Sequence, residues 1–342
     1  MDIPGGETCC GDWNLCPRYE FYILSQGVSA ASQKGDSREA LIEIWEIVVY
    51  MNTDILRHYV ERANEKGLFN WLSDKHYIYL QYWARTGKWL NLKNPQTFNE
   101  KLQWLKLNDR KPIYTQMVDK YEAKRHIASV VGEKYTIPTF GVWERFEEID
   151  FDSLPNQFVL KCTHDSGGLV VVKDKTKMDK AAAKDKIERS LKKNYYLHGR
   201  EWPYKAVKPR IIAEKYLEDT INDALTDYKF FCFHGQPKLM YISKDRGNAP
   251  RTDFFDMEFN HLPIKVRDPN ADITPEKPKQ FEVMQQLAKR LSEGIPHLRV
   301  DFYLFNDNIY VGELTFFHMG GFTQIQPEEW NVRMGTWIDL PQ

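Results

Sequence analysis

Little in these 342 residues draws the chain toward a membrane, a nucleic acid or a disulfide framework. No apolar run approaches the roughly 20 residues that a bilayer-spanning helix needs. IEIWEIVVYM at 42–51 is interrupted by Glu43 and Glu46. Lysine and arginine number 47 against 48 acids, a net charge of −1. That balance exerts no global pull on nucleic acid, so any anion site must be a local arrangement. Five cysteines, at 9, 10, 16, 162 and 232, are odd in number and lack framework spacing. CCGDWNLC has neither a C-x-x-C step nor a nearby histidine, which disfavours zinc. Cys162 and Cys232 lie in apolar runs and read as buried free thiols. No G-x-G-x-x-G fingerprint and no Walker lysine loop occurs, disfavouring dinucleotide and P-loop folds. The start lacks a basic segment followed by an apolar one, so no secretory signal and a cytoplasmic location are expected.

What is present describes a folded chain. Hydrophobic residues make up 42%, aromatic ones 14% and charged ones 28%, enough apolar material for a core and too little polar excess for disorder. Residues 1–38 mix Gly, Ser, Cys and Gln without periodicity and read as a loose leader with no assigned function. Residues 39–115 are expected to form a helical region. Leu41, Ile44, Trp45 and Val48 recur at helical spacing, and Thr97-Phe98-Asn99-Glu100 has the form of a capping box. The aromatic stretch HYIYLQYWARTGKWLNL resembles a sugar platform, but at helical spacing it reads as core. From about 116 to the end, short β-rich runs alternate with two helical stretches, KAAAKDKIERSLKKNYY and PKQFEVMQQLAKRLSEG. The fold class is α+β with mainly antiparallel sheets.

The most informative segment is RVDFYLFNDNIYVGELTF, residues 299–316. Arg299 and Asp301 share one strand face, and Val311, Glu313 and Thr315 fall together on the returning strand. With Asn306-Asp307-Asn308 as a three-residue turn, Asp301 faces Glu313 and Arg299 faces Thr315. Like charges directly opposite are destabilising, so a cation belongs between them. Two readings remain open at this point: a solvated face on which Arg299 neutralises one acid, or Mg²⁺ held by both carboxylates and nucleotide phosphates.

The neighbouring motifs bear on that choice. LKCTHDSGGLVVV places Lys161 on a strand ahead of a small-residue loop, Thr163 to Gly168, whose backbone N–H groups suit phosphate oxygens as well as a plain hairpin. DYKFFCF sets Lys229 among apolar neighbours, where an unpaired charge is costly. NPQTFNEKLQWLKLNDRKPIYTQMVDKYEAKRHI, FVLKCTHDSGG, KPRIIAEKYLED, DYKFFCFHGQPK and VGELTFFHMGGF together resemble the TupA-like ATP-grasp family over about residues 85–342.

That resemblance implies an ATP-grasp fold, two α+β subdomains sandwiching ATP, behind a helical N-terminal region. It puts adenine at the hinge near 213–219, with Glu214, the backbone of Lys215, Tyr216 and Leu217, and Glu218 or Asp219 toward the ribose. It implies Lys120 and Lys161 as phosphate lysines, and His164, Ser166, Gly167 and Gly168 as a loop over the phosphates. Lys229 and Arg299 would act on the transferring phosphoryl, and Asp301 and Glu313 would hold Mg²⁺. Thr315 departs from the Asn that many ATP-grasp ligases carry there. The implied activity is a ligase joining a carboxylate to an amine through an acyl phosphate, on a surface polysaccharide or its precursor. Independently of the resemblance, Arg246 and Arg251 of the Gly/Pro-containing loop SKDRGNAPRTDFFD read equally as a bidentate clamp for the acceptor or as a solvated loop. The rivals are a small-molecule or sugar kinase on the same ATP site, and a glycosyltransferase. The latter usually carries its metal carboxylates in a short D-x-D at a strand end, and none is expected here, since Asp301 and Glu313 are too far apart to form one.

Overall fold

The computed structural model describes residues 53–217, 225–244 and 250–341. The leader, residues 39–52 and the expected site residues Glu218, Asp219 and Arg246 lie outside the described residues. The chain divides into two compact units, Met1–Leu90 and Asn91–Gln342. The described part of the first is a helical pair, α1 (Thr53–Glu65) and α2 (Asp74–Thr86). Leu56, Tyr59, Val60 and Ala63 turn one stripe of α1 inward, and Arg57 Nε donates to the Ala84 carbonyl of α2 at 2.8 Å. Ser73 caps the start of α2, and Gly87, at φ 73°, ends it in the left-handed region that glycine tolerates best. Tyr77, Ile78, Tyr82 and Trp83 are buried, so the aromatic stretch is core, with Trp89 stacked outside on Trp83.

The second unit begins with α3 (Phe98–Asn108), α4 (Ile113–Val118) and α5 (Glu122–Val131). The capping box forms as the sequence predicts: Thr97 Oγ1 accepts from Glu100 N, and Glu100 accepts from Thr97 N. The boundary expected near 115/116 therefore falls inside this unit, where Phe98, Leu102, Leu105, Tyr114 and Met117 join the sheet core. Next come β1 (Thr139–Trp143), β2 (Phe158–Cys162), β3 (Leu169–Val172), α6 (Lys180–Leu191) and β4 (Ile211–Lys215). These strands form an antiparallel sheet in the order β1-β4-β2-β3. One face buries Phe158, Leu160, Cys162, Val172, Ile211 and Ala213 against Ala183 and Ile187 of α6. Strand alternation sends Val159, Lys161, Ile212 and Glu214 to the other face.

The larger sheet holds β5 (Asp227–Phe233), β6 (Gln236–Lys244), β7 (Arg251–Asp256), β8 (His261–Leu262), β9 (His297–Phe305) and β10 (Asn308–Thr315), after α7 (Phe281–Leu291) is inserted before β9. Its order is β10-β9-β5-β6-β7-β8, antiparallel throughout. Phe230, Met240, Ile242, Val300 and Phe302 form its core face with Phe281, Met284 and Leu287 of α7. A last helix, α8 (Glu328–Thr336), follows. Both described cysteines are buried and free.

Candidate functional site

The hairpin β9–β10 pairs Asp301 with Glu313 and Arg299 with Thr315, but by another route than a three-residue turn. Asn306 and Asp307 form a two-residue turn, both left-handed at φ 49° and 59°, so Phe305 faces Asn308. A bulge between Val311 and Glu313 then shifts the register by one residue. Gly312 sits in that bulge, where an added Cβ would stand 2.4 Å from the Tyr303 ring.

Register extends this rung across the sheet as Glu313, Asp301, Lys229, Tyr241 and Phe254 on β10, β9, β5, β6 and β7. Facing residues share one side, so a row of side chains crosses five strands. Asp301 is 1% exposed and is neutralised by its neighbours. Arg299 donates through Nε to Oδ1 at 2.7 Å and through Nη2 to Oδ2 at 2.8 Å, and Lys229 Nζ donates to Oδ2. The cations that neutralise Asp301 are thus side chains of the sheet itself, and both bond to Asp301 rather than bridging it to Glu313. Burial alone would raise the Asp301 pKa; Arg299 and then Lys229 outweigh it and hold the carboxyl well below its usual range. Burial opposes the charges of Lys229 and Arg299 as well, and Asp301 is the main counterweight that raises both. Glu313 differs: it is half-buried and makes no hydrogen bond or ion pair among the described residues.

A cavity of about 520 Å³ opens on this row, and its lining includes Lys229, Arg299, Glu313, Tyr241, Ser243, Thr252, Phe254 and His318. That volume lies within the usual size of small-molecule sites. Ser166 reaches it from the β2–β3 loop. Of the expected site residues, Ser166, Lys229, Arg299 and Glu313 line the cavity together. Arg251 does not; its neighbour Thr252 does, and alternation places the two on opposite faces. The second lining guanidinium is Arg267, tied to Asp268 at 3.1 Å. Nothing near Arg267 in sequence marks it in advance.

The open face of the smaller sheet carries a second charge set. Glu214 lies between Lys161 and Lys124, each 2.6 Å from one of its oxygens. Burial pushes the Glu214 carboxyl up, but Lys161 and then Lys124 bring it down to about 2. The lysines respond oppositely. For Lys161, Glu214 outweighs burial and raises the pKa, with Tyr303 and Glu313 of the larger sheet adding to it; for Lys124, burial prevails and lowers it. Lys124 lies four residues after Lys120 in VDKYEAK, in the first turn of α5, whereas Lys120 sits in the turn that precedes the helix. Lys120 instead donates to the Asp165 carbonyl and ties down the loop. Leu217 is buried, and Lys215 Nζ lies 5.3 Å over the Phe305 ring of β9, with Tyr216 following at the strand end.

The loop 163–168 is organised by its own acid. Asp165 is buried and accepts from Gly168 N at 3.0 and 3.1 Å, and from Ser190 Oγ. That N–H is therefore already engaged. Gly168 admits no side chain, since a Cβ would stand 2.5 Å from Ser190 Oγ and 2.6 Å from Cys162 Sγ. His164 pairs with the Lys193 carbonyl at 3.1 Å, away from Ser166 and Gly167.

Against the expectation of no D-x-D, Asp150-Phe151-Asp152 is such a triplet, but it forms a turn rather than a strand end, with Asp150 Oδ1 accepting from Asp152 N, and neither acid lines the cavity. Among the described residues, no group of three His, Cys, Asp or Glu side chains is arranged to hold a metal. Glu313 nevertheless offers a carboxylate on the cavity wall, the oxygen donor that Mg²⁺ takes when phosphates supply the rest of its shell. The donor set fits that mode of binding.

A family model described as TupA-like ATPgrasp matches residues 100–339. No curated protein matches the chain. Among solved structures the chain is similar to a D-alanine–D-alanine ligase from Bacillus anthracis, at 17% identity over 58% of this chain and 57% of that one, with a TM-score of 0.35. It is also similar to a D-alanyl-alanine synthetase A from Vibrio cholerae O1, at 14% identity over 65% of each chain and a TM-score of 0.38. A third is the ATP-grasp ligase PsnB complexed with a minimal precursor, Mg and ADP, at 12% identity over 85% of this chain and 66% of that one, TM-score 0.37. The chain thus spans little more than half the length of the Bacillus anthracis ligase.

Proposed function

The chain belongs to the TupA-like ATP-grasp family, and on that premise we propose that it is an ATP-dependent carboxylate–amine ligase, joining an amino acid or amino alcohol to a uronic acid of a surface polysaccharide or its precursor. One observation carries the reading: Lys229, Arg299 and Glu313 of the larger sheet and Ser166 of the smaller sheet's loop converge on one cavity. A cavity with three cations, of which Arg267 is paired with Asp268, a carboxylate without an ion pair among the described residues and a small-residue loop suits a phosphoryl group in transfer.

The nucleotide lies between the open faces of the two sheets. Adenine meets the apolar surface of Val159, Leu169, Val171 and Leu217, of which Leu169 and Val171 are 42% and 47% exposed. The backbone of Lys215 to Leu217 reads the base edge, and Glu214 holds Lys161 ready for the phosphates. Glu313, with Asp301 facing it across the ladder, holds Mg²⁺, which when bound shields charge on the phosphate oxygens. Lys229 and Arg299 neutralise the charge that develops as the γ-phosphoryl passes to the substrate carboxylate, giving an acyl phosphate and ADP. An amine then attacks the acyl carbon, phosphate leaves and an amide forms. A carboxylate alone would have to expel oxide; phosphorylation makes phosphate the leaving group. The ring hydroxyls of a uronic acid find Ser243 and Thr252 on the cavity wall.

The test incubates the protein with ATP, Mg²⁺ and a panel of uronic acids and amines. ADP and free phosphate should form in step, with an amide of matching mass, and hydroxylamine should trap the activated acid as a hydroxamate. A stable phosphorylated sugar, formed in full without any amine, would replace the ligase with a kinase.

A further inference from the structure

Arg299 has five N–H donors, and the structure accounts for four of them. Nε donates to Asp301 Oδ1, Nη2 to Asp301 Oδ2 and to Thr315 Oγ1 at 3.1 Å, and Nη1 to His318 Nδ1 at 2.8 Å. Arginine only donates, so Nδ1 of His318 is the acceptor and its proton resides on Nε2. His318 is 3% exposed, and burial, with the Arg299 charge behind it, drives its pKa well below the ordinary histidine range. The ring stays neutral, which is what an acceptor for a guanidinium requires. Nε2 has no hydrogen-bond partner among the described residues, and the ring packs T-shaped on Phe231 at a centroid distance of 5.0 Å. One N–H of Arg299, on Nη1, has no partner among the described residues, and it belongs to a side chain that lines the cavity.

His318 reaches this place on an unusual turn. Met319, Gly320 and Gly321 follow one another at φ 47°, 65° and 66°. Their carbonyls are held from α3: Gln103 Nε2 donates to Gly320 O at 3.0 Å and Gly321 O at 2.7 Å, while the fully buried Lys106 Nζ donates to Gly320 O at 2.5 Å and to Gly199 O at 2.8 Å. A Cβ on Gly321 would stand 2.6 Å from Gln103 Nε2, so the turn lies hard against the helix. The helix is thereby a rigid mount for the turn, and the turn for the histidine.

We propose that His318 is a positioning residue for phosphoryl transfer: anchored through the 319–321 turn to α3, it locks the Arg299 guanidinium so that a single Nη1–H faces the transferring group. This rests on the ligase reading for the step it serves, but the lock itself does not. Asp301 grips Nε and Nη2, so without His318 the far end of the planar guanidinium, which carries Nη1, is free to tilt about that fork and the remaining donor is displaced. Misplacement of a catalytic group by about 1 Å costs on the order of 100-fold in rate.

Two variants separate the lock from packing. His318→Asn keeps an acceptor where Nδ1 stood; His318→Leu removes it. The first readout is the ¹⁵N-arginine side-chain spectrum of the nucleotide-free protein, with the Arg299 signals identified by their loss in Arg299→Lys. Wild type and His318→Asn should show slow exchange between the two Nη1 protons of Arg299, and His318→Leu faster exchange there, while Asp301 keeps Nε and Nη2 held in all three. The second readout is ADP formation with D-glucuronate and hydroxylamine. There His318→Leu should lose about 10–100-fold in kcat at unchanged KM for ATP, and His318→Asn should recover most of it. Nη1 proton exchange in His318→Leu as slow as in wild type, or an Asn variant as impaired as Leu in both readouts, would overturn the proposal. If wild type neither binds Mg²⁺ with a non-hydrolysable ATP analogue nor makes ADP while the spectra behave as stated, the ATP reading fails and the lock stands.

Discussion

Asp301 and Glu313 occupy one rung, yet their surroundings differ enough that the same conservative change should act differently on each. Asp301 closes a buried set with Arg299 and Lys229. Asp301→Asn leaves two buried cations short of their counter-charge, and removing one partner of such a set costs about 3–5 kcal/mol. The midpoint of urea unfolding should drop accordingly. Repulsion between facing acids predicts the opposite sign, so an unchanged midpoint would restore the simpler picture of two like charges. Glu313 makes no ion pair among the described residues. Glu313→Gln should shift stability by no more than about 0.5 kcal/mol, as surface changes do, while abolishing Mg²⁺-dependent ATP turnover. Arg299→Lys keeps a charge but cannot reproduce the fork that meets Asp301, Thr315 and His318. It should lower kcat while ATP binding, followed by calorimetry, stays within a few-fold.

At the scale of elements, the β9–β10 hairpin shows how a correct pairing can be read for an incomplete reason. A three-residue turn and the observed two-residue turn with a bulge both bring Asp301 opposite Glu313, because the bulge restores the register that the shorter turn removes. Asn306-Asp307 has the side chains that tolerate left-handed backbone, so the turn was legible. The bulge was marked only by Gly312, and a glycine inside a strand signals either a bulge or a close approach. Here it signals both. Gly312→Ala would drive a methyl into the Tyr303 ring at 2.4 Å. The change should cost about 1–3 kcal/mol, the range for overpacking, and should weaken metal-dependent turnover by moving Glu313. Unaltered stability and turnover together would show that Tyr303 simply moves aside. Helix α3 teaches the complementary lesson. Its capping box and apolar face were legible, but the service of Gln103 and Lys106 to Gly320 and Gly321 was not, because polar residues on a helix say nothing of a turn more than 200 positions away.

For the whole molecule, alternation and motif order specified an α+β chain with antiparallel sheets, whereas the Lys124–Glu214–Lys161 set and the burial of His297 and His318 arise only from long-range packing. That burial has a consequence for acid stability. His297 is 2% exposed and donates from Nδ1 to the Cys232 carbonyl at 3.0 Å. Burial, ahead of every other influence, takes its pKa from 6.5 down to about 3. Between those values the unfolded chain binds a proton that the folded one refuses, so stability is full above 6.5 and falls as the pH drops toward 3. The slope is about 1.4 kcal/mol per pH unit, so His297 alone removes about 2 kcal/mol by pH 5, and His318, depressed for the same first reason, acts in the same direction. The paired carboxylates follow lower down. Glu214, brought from 4.5 to about 2, and Asp301, lowered by Arg299 and Lys229, stabilise the fold only while ionised, so their contribution is lost as the pH falls below about 4.5. Urea midpoints measured from pH 7.5 to 3.5 should therefore decline in two stages. His297→Phe, which fits a ring among Phe98, Phe231 and Phe233, should flatten the first stage by about one proton while leaving the second in place. A wild-type midpoint that stays level between pH 6.5 and 5 would mean that both histidines protonate in the native state, and would remove the neutral acceptor on which Arg299 depends.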